Sequence, residues 1–275
     1  MFSDSYSVSS MCEYFGVSKS GYYKFLRGKH DKDEDLRETI KQIQEKCKYR
    51  YGYRRIQIAL KKKHGLTVNH KRVLRIMCKY NLLSKIRRKY LYVKSGDVVH
   101  KYQNLLEQDF KTSKINHKWT TDISYIITPE GRLYLSVIRD ACDGYVIAYK
   151  YSAQQDLKLV ADTVRLALKS ERPQETIIHS DQGFQYTSFL YNKLTTENGL
   201  TPSMSRKATP LDNAPIESFF SAFKSECIYL EKPKTMQEAK DLIDDYIDFY
   251  NFERIQLKHK ATPFEIRQQK KSLTG

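Results

Sequence analysis

The sequence predicts an α/β protein: an all-helical, basic front segment followed by a mixed layer of helices on one sheet. Charge divides unevenly, because residues 1–118 hold 28 Lys and Arg against 11 Asp and Glu, a balance of +17. Residues 119–275 hold 20 and 21, a balance of −1. Helical periodicity fills the first part, whereas runs of β-branched and aromatic residues begin near Trp119.

The basic front segment favours a polyanionic partner, since each neutralised phosphate releases condensed counterions. A merely soluble basic surface is the alternative. The five cysteines include no Cys-x-x-Cys pair, which disfavours a zinc cluster and a disulfide framework. Because the sequence has no apolar run of about 18 residues and no secretion leader, we expect a cytoplasmic protein with no membrane partner.

Within residues 1–30 we expect two short helices, Ser7–Tyr14 and Ser18–Arg27, joined by a tight turn around Gly16. This is the size and shape of a helix-turn-helix, whose second helix enters the major groove of DNA. An ordinary helical hairpin is the alternative interpretation. The candidate DNA contacts on the second helix are Lys19, Tyr22 and Lys24.

Residues 31–84 are predicted to form a second basic helical region that binds DNA. The expected helices are 34–48, 53–63 and 69–80. Apolar residues of the last helix face inward, which leaves Arg72 and Arg75 exposed as candidate DNA contacts. Residues 85–117 are interpreted as a basic linker that tracks along a DNA backbone, with a solvated loop as the alternative.

Residues 118–275 are predicted to contain the sheet and its helices. Three strands joined by short turns come first, followed by a helix, a short buried strand and further helices. The expected strands are 119–127, 132–140, 145–152 and 175–179. The expected helices are 156–170, 187–198, one beginning near Pro215, and 236–251.

Three acidic residues stand out in this domain. Asp122 interrupts a strand-forming run, Asp181 follows a buried strand, and Glu217 lies on an amphipathic helix. Each has an ordinary explanation alone, as a solvent-facing strand residue, a turn residue or an exposed helical residue. Together, two carboxylates on neighbouring strands and one on a packed helix can meet at one sheet edge. His179, two residues before Asp181, is expected to be a buried structural residue, with a place at the metal site as the alternative.

Three acidic side chains that meet cannot all stay ionised unless cations lie among them. Oxygen ligands of this kind suit Mg²⁺ or Mn²⁺. Two such ions about 4 Å apart can activate a nucleophile and stabilise the leaving oxygen of a phosphodiester. The sequence therefore points to a site for divalent ions, with two ions expected.

The runs WTTDISYI, HSDQGFQY and SRKATPLDNAPIESFFSAFKSE resemble the catalytic core of bacterial insertion-sequence transposases, above all the OrfB product of the insertion-sequence-three family. Thirty-five residues lie between Asp181 and Glu217, a spacing typical of that family. The resemblance covers about residues 7–265. It implies an RNase H-like fold, similar to retroviral integrases, and gives the catalytic, metal-binding roles to Asp122, Asp181 and Glu217.

The resemblance also implies DNA contacts around the acidic helix. Lys224, seven residues after the glutamate, is expected to contact the DNA end. Asn213 supports the site or touches DNA, although capping of the helix by Asp212 or Asn213 explains these residues as well. The loop before the helix adds the candidate DNA contacts Arg206 and Lys207. This loop continues with Ala208-Thr209-Pro210, where many relatives have a Gly-Asn pair.

The expected function is metal-dependent DNA transposition. One strand is cut at the terminal inverted repeats of the element, and the new 3′-OH then attacks target DNA. The resemblance further implies a homo-oligomer that holds both ends, an upstream OrfA partner or fusion, and work at the bacterial nucleoid. The alternatives are a catalytically inactive helix-turn-helix DNA-binding regulator and a nuclease that acts on RNA–DNA hybrids.

Overall fold

The computed structural model describes residues 7–26, 33–85, 102–207 and 209–274. They fall into two compact units, Met1–Ser84 and Lys85–Gly275. Part of the predicted linker, residues 86–101, lies outside the described residues.

The first unit begins with a helical hairpin, α1 (Val8–Tyr14) and α2 (Lys19–Leu26). Ser7 caps α1 by accepting a hydrogen bond at 3.1 Å from a backbone N–H of its first turn. Gly16 has a φ of 61° in the turn, a left-handed conformation that favours glycine. The predicted pair of helices is therefore present, while Arg27, its predicted end, lies outside the described residues.

Three longer helices complete the first unit: α3 (Glu34–Lys46), α4 (Tyr53–His64) and α5 (His70–Lys79). Each buries an apolar stripe. Gln44 of α3 connects the segments that flank α4 and α5, since its Nε2 donates to the backbone carbonyls of Tyr51, before α4, and Leu82, after α5, at 2.9 and 2.7 Å. The three predicted helices are confirmed to within two residues at each end.

The second unit is built on a five-stranded sheet. The strands are β1 (Lys118–Thr128), β2 (Gly131–Asp140), β3 (Val146–Ser152), β4 (Thr176–Ser180) and β5 (Leu200–Met204). Their order in the sheet is β3-β2-β1-β4-β5. β1, β2 and β3 form the predicted antiparallel meander, whereas β4 runs parallel to β1 and β5 runs parallel to β4.

β5 is a strand that the sequence analysis missed, because further helix was expected after residue 198. Its sequence, LTPSM, lacks a clear alternation and contains Pro202. Proline removes a backbone donor and is tolerated at the edge of a sheet, where β5 lies. The local sequence therefore carries little strand signal, and pairing with β4 determines the conformation.

Helices cover this sheet. The main core lies between the strands and the first two of these helices, and Trp119, Val164 and Ile178 are fully buried in it. The helices are α6 (Leu157–Ser170), α7 (Phe189–Thr196), α8 (Ala214–Phe223), α9 (Tyr229–Glu231), α10 (Met236–Asp248) and α11 (Pro263–Thr274). Within the described ranges, no helix is both long enough and apolar enough to span a bilayer.

Two of these helices continue into π-helical turns, Lys224–Ile228 after α8 and Phe249–Glu253 after α10. The Arg254 guanidinium donates to both carboxylate oxygens of Glu226 at 2.7 Å and so links the two turns. The predicted helix 236–251 is corrected accordingly, since α10 ends at Asp248. Such turns are frequent at functional sites.

Residues 102–117 pack on the core, which corrects their interpretation as a linker or solvated loop. Leu106 is 2% exposed. The Asn104 side chain donates to the Asp212 carboxylate at 2.8 Å. The Thr176 hydroxyl donates to the backbone carbonyl of Asn116. These partners are distant in sequence, so no local pattern predicts them.

Candidate active site

Asp122 and Asp181 lie at matching positions on neighbouring strands. The parallel pairing of β1 with β4 ends at Thr120 and His179. Asp122 and Asp181 each follow two residues later, just past the point where the pairing stops. Since neighbouring strands lie about 4.8 Å apart, this register brings both carboxyl groups to the carboxyl end of β4.

The turn after β4 holds the Asp181 carboxylate. Its Oδ1 accepts a hydrogen bond from the backbone N–H of Gly183 at 2.9 Å. A Cβ atom on Gly183 would lie 3.0 Å from this oxygen and 3.1 Å from Oε1 of Gln185. Gly183 therefore permits a close approach of backbone to carboxylate that a larger residue would disturb.

Glu217 is supplied by α8, whose start is fastened to β1. Asn213 donates from Nδ2 to the backbone carbonyl of Thr121 at 3.4 Å, directly before Asp122. Asn213 makes no side-chain cap hydrogen bond and is 4% exposed. The structure thus corrects the side-chain cap considered for Asn213, which instead connects α8 to the strand that carries Asp122. Its contact with DNA stays a prediction.

All three carboxyl groups have raised pKa values. Burial raises the pKa of Asp122 well above its usual range, and the charges of Asp181 and Glu217 raise it further. Loss of hydration also raises the pKa of Asp181, and burial followed by the Asp181 charge raises that of Glu217. Asp122 and Glu217 are half-buried and Asp181 is exposed, so ions in solution can reach the group.

This donor set fits a hard divalent cation. The raised pKa values mean that the protein alone leaves the three negative charges incompletely balanced. Carboxylate oxygens are the ligands that Mg²⁺ and Mn²⁺ prefer. Across the described ranges, no cluster of three or more His, Cys, Asp or Glu side chains is already arranged to hold a metal ion. The carboxylates would therefore have to draw together around one.

Lys224 lies beside this group, at the first residue of a π-helical turn. Its charge lowers the pKa of Asp122, against the larger effect of burial. Its ammonium lies 5.1 Å from the centre of the Tyr125 ring, and the Arg132 guanidinium lies 5.4 Å from the same ring. The structure therefore places a cation next to Asp122 at the predicted position.

Asp212 organises the loop before α8, a role that the sequence analysis missed. It is fully buried and accepts hydrogen bonds from Asn104 and Gln108 at 2.8 and 2.9 Å. Arg206 adds its backbone N–H at 2.9 Å and two guanidinium donors at 2.9 and 3.0 Å. Hydrogen bonds from Arg206, before all other causes, hold the pKa of Asp212 well below its usual range.

The same contacts change the interpretation of two predicted roles. Asp212 is not a cap of α8, because its carboxylate is bound by donors of residues 104–108 and Arg206. The Arg206 guanidinium, predicted to contact DNA, is already paired with Asp212. No periodic signal marks such an acid in the sequence, and two of its partners, Asn104 and Gln108, come from a separate segment.

His179 is structural, as expected. It is fully buried, with Nδ1 2.9 Å from the Ser203 hydroxyl and Nε2 3.3 Å from the Ser205 hydroxyl. Burial lowers the pKa of His179 to about 4, so the ring is neutral near pH 7. Both ring nitrogens are therefore occupied within the protein.

Matches to known families divide along the chain as the two units do. An HTH-like domain matches residues 30–90, and integrase core domains match residues 112–210 and 217–270. The chain is 37% identical to the putative transposase InsK for insertion sequence element IS150 from Escherichia coli (strain K12), over 96% of this chain and 94% of that protein. The chain belongs to the insertion-sequence transposase family.

A second relative in this transposase family is InsF for insertion sequence IS3A from Escherichia coli (strain K12). It is 33% identical, over 88% of this chain and 87% of that protein. The predicted family and the integrase-like fold class are confirmed. Among solved structures, the catalytic core domain of BIV integrase aligns over 58% of this chain and 98% of its own, at 18% identity and a TM-score of 0.46.

In this family member the HTH-like match falls on α3, α4 and α5, within the predicted second basic region. Arg72 and Arg75 of α5 are exposed, as predicted. Both guanidinium groups bind the Asp33 carboxylate at 2.7 Å, so part of their charge is balanced within the chain. A helix-turn-helix role for the α1–α2 hairpin stays a prediction.

The other candidate DNA contacts of this family member differ in exposure. Lys19 and Lys24 are exposed on α2, and Tyr22 is half-buried against Tyr23 at a ring-centre distance of 5.5 Å. Lys207 is exposed in the loop before α8. Their surface positions agree with the predictions, and their contacts with DNA stay predictions.

Proposed function

We propose that this chain is a DNA strand-transfer enzyme that cuts at the terminal inverted repeats of a bacterial insertion sequence and joins the cut end to target DNA. The observation that carries the proposal is the shared register of Asp122 and Asp181, with Glu217 close enough to raise the pKa of Asp122. Membership of a transposase family supports the same reaction class.

The chain's own residues would hold and orient the reacting groups. Asp122, Asp181 and Glu217 would bind Mg²⁺ or Mn²⁺, and two bound ions would supply activation of the attacking oxygen and stabilisation of the leaving one. Gly183 and Asn213 would keep two of the carboxylates in place. The Lys224 ammonium, beside Asp122, would contact a phosphate of the DNA end.

The proposed reaction has two acts at one site. Water first attacks the phosphodiester at the end of the element and leaves a 3′-OH on the cut strand. That 3′-OH then attacks a phosphodiester of the target, and the target strand's own 3′-oxygen leaves. The attacking oxygen comes from water or DNA, so none of the 21 tyrosines is needed as a covalent nucleophile.

The wider assembly is part of the same proposal. The basic first unit would recognise the inverted repeats, with Lys19, Tyr22, Lys24, Arg72 and Arg75 as candidate contacts and Arg206 and Lys207 near the second unit's site. A homo-oligomer would hold both DNA ends, with an upstream OrfA product as partner or fusion. The protein would act on the nucleoid in the bacterial cytoplasm.

The test is DNA cleavage by three charge-removing variants, Asp122→Asn, Asp181→Asn and Glu217→Gln, in Mg²⁺ or Mn²⁺. Each is expected to lose strand cleavage by at least about 100-fold, because binding of the ions needs all three carboxylates. Binding of the uncut end is expected to stay within a few-fold of wild type. Glu231→Gln, the same chemical change at an exposed site outside the cluster, serves as the matched control.

Three outcomes would count against the proposal. Full cleavage by any of the three variants would show that the replaced carboxylate is not needed for the reaction. Tight binding of the DNA end by wild type, without cleavage in either ion, would favour the DNA-binding regulator. Cleavage of an RNA–DNA hybrid that lacks any repeat sequence would favour the simple nuclease.

A further inference from the structure

The Lys85–Gly275 unit contains a cavity of about 450 Å³ beside α8, and several basic side chains line it. We propose that this cavity is a phosphate-binding site, separate from the carboxylate site. It is lined by residues from the segment before β1, the end of β2, α8 and the region after α10. The proposal rests on its position, on the basic residues of its wall, and on two lysines there that form no ion pair with a described carboxylate.

The cavity lies on a different face of α8 from Glu217. Ser218, Phe219 and Ala222 line it. With 3.6 residues per turn, these positions point roughly 100–200° away from Glu217 around the helix axis. Lys224, two turns after Glu217, stays on the Glu217 side and is absent from the wall of the cavity. Ions held by the three carboxylates would therefore not occupy this space.

The wall combines a buried aromatic floor with positive charge. Phe219 and Tyr250 are 2% and 4% exposed, and their ring centres lie 4.8 Å apart in an edge-on arrangement. The basic residues of the wall are Lys111, Arg139, Arg254, Lys258, His259 and Lys270. Among the residues that the structure describes, no aspartate or glutamate lines the cavity. Such a wall attracts an anion and repels a cation.

Most acids near this region are already paired elsewhere. Arg267 binds Asp140, Asp143 and Glu171, at distances between 2.7 and 3.2 Å. The Asp109 carboxylate binds the Lys118 ammonium at 3.2 Å. The surroundings therefore supply few free negative charges to the cavity.

The six basic residues differ in how far their charge is balanced within the protein. Arg254 is paired with Glu226 at 2.7 Å, and the Lys270 ammonium donates to the backbone carbonyl of Ser113 at 3.0 Å. Lys111 and Lys258 are exposed, and neither forms an ion pair with a described carboxylate. The Lys111 charge contributes to the lowered pKa of Asp109, after the hydrogen bonds that Asp109 accepts from the Lys111 backbone and from Lys118. Lys258, and Lys111 in part, therefore have charge available for a ligand.

The pKa of His259 indicates that the cavity is surrounded by positive charge. Burial lowers the pKa of His259, and the positive charges of Lys258 and Lys270 lower it further. Like charges gathered in one place repel each other, and a bound anion would relieve that repulsion. Phosphate oxygens suit this wall because lysine and arginine donate charge-assisted hydrogen bonds to them.

Phosphate can come from the backbone of DNA or from a free anion. The DNA case rests on the proposed function, since it requires that the chain binds duplex DNA. The free-anion case does not. In the DNA case the cavity would hold the backbone at a second place on the unit, away from the bond that is cut.

The experiment compares Lys111→Gln/Lys258→Gln with wild type in the full chain and in EDTA, so that no cleavage occurs. A control pair, Lys150→Gln/Lys169→Gln, removes the same charge from exposed lysines outside the cavity. Binding of duplex DNA carrying the element's end is measured over a range of salt concentrations. Inorganic phosphate and pyrophosphate are titrated separately, with heat of binding as the readout.

If the backbone of DNA is the ligand, the slope of log affinity against log salt is expected to fall by about two in the cavity variant, one for each lost phosphate contact. The control pair is expected to change this slope less.

If a free anion is the ligand, wild type and the control pair are expected to bind phosphate or pyrophosphate, and the cavity variant is expected to lose that binding. The salt slopes for DNA binding are then expected to agree among the three proteins. Equal slopes together with no loss of anion binding would overturn the proposal.

Discussion

At the residue scale, the site consists of acidic groups whose charges the protein does not fully balance. Asp122 and Glu217 each have a pKa raised by burial and by a neighbouring carboxylate. The sequence pointed to Asp122 inside a strand and Asp181 after one, and the family resemblance gave both of them and Glu217 their catalytic roles. The sequence analysis missed Asp212, because a buried acid has no distinctive local pattern and its partners include Asn104 and Gln108.

Replacing Asp122 by Asn is expected to stabilise the protein when no divalent ion is present. The change removes a poorly hydrated charge that faces two other carboxylates, while keeping the shape of the side chain. The melting temperature in EDTA should rise by roughly 2–4 °C for each kcal/mol of relieved repulsion. Differential scanning calorimetry measures this.

The same variant should also lose the rise in melting temperature that Mn²⁺ gives wild type. Asp245→Asn, at an exposed aspartate of α10, is the control and should change neither quantity. A lower melting temperature for Asp122→Asn in EDTA would show that the carboxylate is stabilised by the protein rather than strained by it.

Replacing Gly183 by Ala tests the turn that holds Asp181. The added Cβ would lie 3.0 Å from Oδ1 of Asp181, so the carboxylate or the turn must shift. A displacement of this kind at a catalytic group typically costs about 10–100-fold in rate. Single-turnover cleavage should fall by that amount with little change in melting temperature.

Gly52→Ala is the matched control, because a Cβ there would meet nothing within 4 Å and the glycine has an ordinary φ of −77°. Equal rates for Gly183→Ala and wild type would mean that the close approach has no part in positioning Asp181.

At the scale of elements, local patterns predicted the parts that follow one period. The meander, α6 and the three helices of the first unit have regular apolar spacing, and they were placed correctly. β5 and the two π-helical turns were not, because proline interrupts the first and tertiary contacts such as Glu226 with Arg254 fix the others. The sequence predicted that Glu217 lies on a helix, but it did not predict that Asn213 connects this helix to β1.

The loop before α8 is expected to depend on Asp212. Asp212→Asn keeps the shape but removes the charge that binds Arg206, and should lower the free energy of unfolding at pH 7 by about 1–3 kcal/mol. The expected loss is smaller than for a fully buried ion pair, because the Arg206 side chain is 58% exposed and solvent screens its charge. Urea unfolding of wild type and variant gives the difference.

The same difference should depend on pH. The pKa of Asp212 is lowered in the folded protein, so its stabilising contribution is present above the unfolded pKa, about 4, and is lost as pH falls below it. The free energies of unfolding of wild type and Asp212→Asn should therefore converge as pH falls below about 4. A gap that stays constant across this window would contradict the assigned ion pair.

At the scale of the whole molecule, positive charge and the candidate catalytic residues lie in different parts of the chain. The excess positive charge lies in the first 118 residues, and the candidate chemistry lies in the nearly neutral remainder. The sequence predicted this division, and the family matches follow it. It did not predict that residues 102–117 belong to the core, because their partners, such as Asp212 and Thr176, come from much later in the chain.

The central claim is that Asp122, Asp181 and Glu217, far apart in sequence, form one site for divalent ions. Binding of Mn²⁺ to the full chain, followed by electron paramagnetic resonance, tests this most directly. Wild type and Glu231→Gln should bind Mn²⁺ alike, and each of Asp122→Asn, Asp181→Asn and Glu217→Gln should weaken the same binding step by at least about tenfold. Unchanged binding in any of these three variants would contradict the claim.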